Sequence, residues 1–163
     1  MHPANGIAPS ARYNRPNHPP RAAGRTTPRP RWSAQGALQL LGYQVCIDLF
    51  DCDTAALDMP TAIESAVRAL AAGIGASVVE VSTHRFAPQG LSCMARISAS
   101  HIAIHTWPEN GFAAVDVFSC TTRVDVEALA AILRAAFGAR QQSCTEVARG
   151  VGLPSPYFRD AQV

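Results

Sequence analysis

The chain has 163 residues, 48% hydrophobic and 16% charged, with a formal net charge of +2. That length and balance suit one domain with a real core. No apolar run nears the roughly 18 residues that cross a membrane, and no apolar h-region opens the chain, so a cytoplasmic protein is expected. All 14 basic residues are arginine, which excludes amine chemistry through pyridoxal phosphate (PLP) anchored on lysine.

In chain order, residues 1–36 hold six arginines, seven prolines and no acid. This composition predicts a disordered basic tail with at most nonspecific attraction to nucleic acid. Residues 37–163 hold eight arginines against all 12 acids, a net charge of −4, and form the predicted domain. Tyr43–Phe50 reads as a strand ending at Asp51-Cys52-Asp53. Pro60 opens a helix, with Ile63, Val67, Leu70 and Ile74 at helical spacing and Gly73 and Gly75 at its end. Ser77–Phe86 reads as a strand, and Ala87-Pro88-Gln89-Gly90 as a turn. Leu91–Ile97 and His101–Trp107 form a hairpin around the intervening turn. Phe112–Cys120 alternates as a half-buried strand does. Asp125 caps a second helix, with Val126, Leu129, Ile132, Leu133 and Phe137 on its buried face. A short strand falls within Ser143–Val151, and the end around Pro154-Ser155-Pro156 is irregular.

Strands in direct succession with two helices predict an α+β fold: a two-layer α/β sandwich whose antiparallel sheet is covered on one face by helices. The bare face suggests a homodimer. The cysteines Cys46, Cys52, Cys93, Cys120 and Cys144 form no CxxC pair. Free thiols are therefore expected, with neither a disulfide framework nor a metal site.

Serines in hairpin turns are common, but Ser98-Ala99-Ser100-His101 places one where a self-processing chemistry could run. A serine hydroxyl can attack the carbonyl before it and turn the peptide into an ester. Loss of the serine α-proton then leaves dehydroalanine, which hydrolyses to a pyruvoyl group. The reaction needs a tight turn, a base and an oxyanion donor. Ser100 is the candidate nucleophile. His105 suits the base role, because imidazole titrates near neutrality. Ser92, on the other arm of the hairpin, could hydrogen-bond the oxyanion. Alternate histidines on a strand, His101 and His105, also occur without any catalytic role.

Several blocks occur together: Ile47-Asp48-Leu49 with Cys52-Asp53, then His84 with Phe86-Ala87-Pro88-Gln89-Gly90, then Ser98-Ala99-Ser100-His101. His105-Thr106-Trp107-Pro108-Glu109 and Ala113–Cys120 complete the set. From Leu41 to Cys120 the sequence strongly resembles the small bacterial and archaeal S-adenosylmethionine decarboxylases. The resemblance implies self-cleavage between Ala99 and Ser100 into 1–99 and 100–163. Ser100 would become the pyruvoyl cofactor that forms a Schiff base with substrate. His105 would act as proton acceptor in processing, Ser92 would assist, and Cys120 would be the proton donor in catalysis. Phe86 would stack on adenine and Glu109 would bind the ribose hydroxyls. The product would be the aminopropyl donor for spermidine. Family members associate through their sheets, with active sites at the dimer interface. No membrane and no specific nucleic-acid partner is implied.

One departure stands out: Ala99 replaces the glutamate usual before the cleaved serine. Two other readings stay open. One is a pyruvoyl-dependent arginine or ornithine decarboxylase on the same scaffold. The other is an inactive paralogue serving as an interaction subunit.

Overall fold

Alternation of burial marks the central strands of the sheet. In β1 (Gly42–Phe50), Val45, Ile47 and Leu49 are fully buried, whereas Gln44, Cys46 and Asp48 turn the other way. The same rhythm runs through β5 (Phe112–Ser119), where Ala113, Val115 and Val117 point inward. Side chains in a strand point alternately to the two faces, so each such strand has one apolar and one mixed face.

The computed structural model describes residues 40–121 and 123–153. The predicted basic tail and the Pro154-Ser155-Pro156 end lie outside the described residues. After β1 come α1 (Thr54–Leu57), α2 (Pro60–Gly73), β2 (Val78–Arg85), β3 (Leu91–Ile97) and β4 (Ser100–Trp107). A 3-10 turn (Pro108–Asn110), β5, α3 (Val126–Phe137) and β6 (Gln141–Arg149) follow. The six strands lie in the order β2-β3-β4-β5-β1-β6, and every neighbouring pair is antiparallel.

Both long helices cover one face. Ile63, Val67 and Leu70 of α2 and Leu129, Leu133 and Phe137 of α3 are fully or almost fully buried. They meet Val45, Ile47, Ile102, Ile104, Val115 and Val117 from the sheet in one core. Each large apolar side chain buried there contributes about 1.5–3 kcal/mol. Pro60 stands at the first position of α2, where its missing N–H costs nothing. Asp125 caps α3 by accepting from the N–H groups of Glu127 at 3.1 Å and Ala128 at 3.2 Å. The fold is therefore the expected α+β sandwich, an antiparallel sheet covered on one face by helices.

Three local expectations change. The connection between β3 and β4 is only Ser98-Ala99, and Ser100 is the first residue of β4, paired with Ile97. The C-terminal strand starts at Gln141 and runs nine residues against β1. The four-residue helix α1 follows Cys52 and is capped by Asp53, whose carboxylate accepts from Ala55 N–H at 2.8 Å.

The opposite face carries none of the described helices. Met94 and Trp107 remain 47% and 41% exposed there.

One polar side chain is locked inside the core. The Thr106 hydroxyl accepts from Leu91 N–H at 2.9 Å and donates to the Leu57 carbonyl at 2.8 Å. It joins α1 to the β3–β4 hairpin. Thr106→Val leaves both backbone groups unpartnered, so it should cost about 1–3 kcal/mol. Urea unfolding checks this, with Thr106→Ser closer to the parent; equal midpoints for all three would remove the hydroxyl's structural role.

Candidate active site

A two-residue connection sets the geometry around Ser100. Ser98 is fixed on both sides: its N–H donates to the Ser77 carbonyl at 2.8 Å, and its Oγ accepts from Ser77 N–H at 3.0 Å. Ser100 has φ 152°, a conformation that costs a non-glycine residue on the order of 1–3 kcal/mol. The carbonyl of Ala99 accepts from the backbone N–H of Cys120 at 3.0 Å. That donor is aimed at the oxygen that would become negative if the Ser100 hydroxyl attacked. Ser100 Oγ lies 3.2 Å from Nδ1 of His101. Ala99 is 8% exposed and packs with the core.

The other predicted residues gather at the far end of β4. Ser92 of β3 stands directly opposite His105 of β4, so both share the bare face. Phe86 is 49% exposed and meets the His84 ring edge-on at 4.8 Å. Asp58 pins the turn that carries Phe86. Its carboxylate accepts from Gly90 N–H at 3.0 Å and from the Arg85 guanidinium at 2.8 Å. Its carbonyl takes a second Arg85 N–H at 2.6 Å. Gly90 has φ 97°, and a Cβ there would lie 2.8 Å from the Thr106 carbonyl oxygen; only glycine fits. Glu109, on the 3-10 turn, accepts from Gln89 Nε2 at 3.2 Å.

These two groups do not meet within one chain. His105 lies five positions beyond Ser100 on the same strand, about 16 Å at strand rise. Ser92 pairs with His105 rather than with Ser100. The tight turn forces this, because pairing Ile97 with Ser100 fixes every later pair. Within one chain Ser92 therefore stands beside His105 and away from the Ala99 carbonyl.

Four thiols are held protonated. Burial, then the hydrogen bond to Asp116 and its charge, push Cys46 up to about 11; its Sγ donates to Asp116 Oδ1 at 3.2 Å. Burial and the charge of Asp51 push Cys52 up to about 11. Cys93 and Cys144 are also raised, chiefly by burial. Thiols in this state are poor nucleophiles at neutral pH.

Sequence reasoning missed Asp58, the Gln89–Glu109 bond and the Cys120 N–H. Asp58 and Gly90 are 32 positions apart, and no local pattern joins them. The Cys120 contribution is a backbone group, which no side-chain motif displays.

The six-stranded sheet with helices on one face places the chain among the two-layer α+β sandwiches. A solved structure titled as the adenosylmethionine decarboxylase of Aquifex aeolicus shares this fold, with TM-score 0.63 and 23% identity over 74% of this chain and 98% of that one. The family profile described as S-adenosylmethionine decarboxylase matches residues 43–150. The S-adenosylmethionine decarboxylase proenzyme of Acetivibrio thermocellus is 43% identical over 114 residues, covering 70% of this chain and 92% of that protein. The proenzyme of the same name from Prochlorococcus marinus is 38% identical over 104 residues, covering 64% and 83%. The chain belongs to the S-adenosylmethionine decarboxylase family and is an enzyme of the lyase class. No described helix is long and apolar enough to cross a membrane.

The Asp58 clamp gives a pH-dependent prediction. The Gly90 N–H and Arg85 hold its carboxyl below the ordinary 3.8. A depressed folded value means the gain is complete above 3.8 and is lost as pH falls through the lower folded value. Hydrogen exchange of the Gly90 amide, corrected for intrinsic rate, should stay slow at neutral pH and accelerate on acidification. Asp58→Ala, which removes the acceptor, should show fast exchange at every pH. Equal protection in the two proteins would remove the clamp.

Proposed function

We propose that this chain is a self-processing decarboxylase that acts on S-adenosylmethionine and supplies the aminopropyl donor for spermidine. The observation that carries the reading is the Ala99 carbonyl held by the Cys120 N–H at 3.0 Å, directly before a serine at φ 152°. A polarised carbonyl and a serine in a costly conformation fit conversion of Ser100 into a pyruvoyl group, with cleavage into 1–99 and 100–163. That group supplies an electron-withdrawing ketone, which stabilises the substrate α-carbon as carbon dioxide departs. Cys120, adjoining the cleavage site through its own backbone, is assigned the return of a proton to that carbon. Phe86 offers an exposed aromatic face for adenine, and Glu109 a carboxylate for the ribose diol. Arginine and ornithine are not favoured as substrates, since the relatives above carry the S-adenosylmethionine name.

The separation along β4 supports a homodimer with shared sites. The bare faces of two copies would meet so that Ser92, His105, Phe86 and Glu109 of one copy serve Ser100 and Cys120 of the other. His105 would then take a proton in processing, with Ser92 assisting, across the interface. A cytoplasmic location fits this chemistry.

Intact mass under denaturing conditions tests the first step. Two chains should appear, split between Ala99 and Ser100, the second lacking its amine and bearing a ketone. Ser100→Ala should give one full-length mass and no carbon dioxide from carboxyl-labelled S-adenosylmethionine. A single mass for the parent chain would favour the inactive paralogue. Cys120→Ala should cleave yet turn over at least about tenfold more slowly; unchanged turnover would remove its donor role.

Complementation tests the shared site. Ser100→Ala and His105→Gln chains, expressed together, should form mixed dimers in which the His105→Gln chain is cleaved. No cleavage in mixed dimers, with each variant still dimeric, would place the whole site within one chain.

A further inference from the structure

Within the chain, the histidine that touches the processing nucleophile is His101, not His105. Ser100 Oγ and His101 Nδ1 are 3.2 Å apart. With the imidazole proton on Nε2, Nδ1 accepts from the hydroxyl. The ring is also held in place. It stacks on Phe118 of the neighbouring strand, with centroids 5.7 Å apart and planes at 26°. Phe118 lies against the Arg149 guanidinium at 5.9 Å. It also fills the space over Gly42, where an added Cβ would fall 2.4 Å from the Phe118 ring.

We propose that His101 is a further catalytic residue, the proton acceptor for the first step of self-processing. The assignment rests on the self-processing reading above and adds a group that the resemblance did not supply. In that step Ser100 Oγ bonds to the carbonyl carbon of Ala99, and the hydroxyl proton moves to His101 Nδ1. The carbonyl oxygen becomes an oxyanion on the Cys120 N–H. The oxyanion then collapses and the bond from carbon to the Ser100 nitrogen breaks. That nitrogen leaves as an amine, taking back the proton that His101 held. One amide becomes one ester and one amine, with no net gain or loss of protons. One imidazole thus serves both halves of the exchange. Later removal of the Ser100 α-proton is a separate event, which leaves His105 its role from a second copy.

The test follows cleavage of newly translated full-length chains, for the parent, His101→Gln and His101→Ala. His101→Gln should cleave about 100-fold or more slowly, within the range of a lost general base. Hydroxylamine splits the ester but not the amide, so it should release no fragment from His101→Gln. Imidazole added to His101→Ala should restore cleavage in proportion to its concentration, which a merely structural role would not allow. Cleavage of His101→Gln at the parental rate would overturn the proposal. So would a hydroxylamine-sensitive ester building up in it, since the first step would then have run without His101. A natively melting His101→Ala that imidazole does not restore would also overturn it. A parent chain that never cleaves would overturn the self-processing reading itself; parental cleavage with an unimpaired variant overturns only the His101 assignment.

Discussion

The register of the β3–β4 hairpin decides where Ser92, Ser100 and His105 stand. A connection of only Ser98 and Ala99 obliges Ile97 to pair with Ser100, and each later pair follows without freedom. Ser100 therefore opens β4, opposite Ser119 on its other side, and the chain just past Ser119 returns the Cys120 N–H to the Ala99 carbonyl. The same register carries Ser92 and His105 to the far end of the strand. A one-residue slip would send the apolar set of β4 to the wrong face. The core that buries Ile102 and Ile104 is thus also what holds Ser100 beside the Ala99 carbonyl.

That placement works against the local preferences of the backbone. A positive φ at serine costs on the order of 1–3 kcal/mol, a noticeable share of the ~5–15 kcal/mol that holds a domain folded. The surroundings over-determine it. Ser98 is tied to Ser77 on both its amide and its hydroxyl, and Ile97 is 3% exposed. Ala99 shares that burial, its methyl packed with the core. Away from the turn the strategy reverses: Phe86 and Glu109 stand exposed, and polar bonds from Asp58 and Gln89 steady them.

The sequence disclosed whatever leaves a periodic trace. Phe112–Cys120 alternates, Ile63, Val67 and Leu70 recur at helical spacing, and Asp125 announces α3; all of these read directly. Helix α1 is too short to show a period, and only the Asp53 cap marks it. Strand β6 has a blurred pattern of half-buried residues, as an edge strand with little core contact must, and its start was read two residues late. The roles assigned to Cys120, Phe86 and Glu109 came from resemblance, not periodicity. What stayed hidden was distance across the sheet. Spacing puts His105 five strand positions from Ser100, but it does not display the hairpin register that pairs Ser92 with His105. Nor could it show that His101, one residue from Ser100, is the imidazole in contact.

The order of the strands has one more effect. A cut between Ala99 and Ser100 would leave β1, β2 and β3 on one fragment and β4, β5 and β6 on the other. In the sheet these do not form two blocks. The first fragment's β1 lies between the second fragment's β5 and β6, bonded to both along nearly its whole length, and β3 remains zipped to β4. The fragments are interleaved like clasped fingers, so neither can depart without dismantling three ladders. Breaking the covalent link would free the new ends to move while the molecule stays whole.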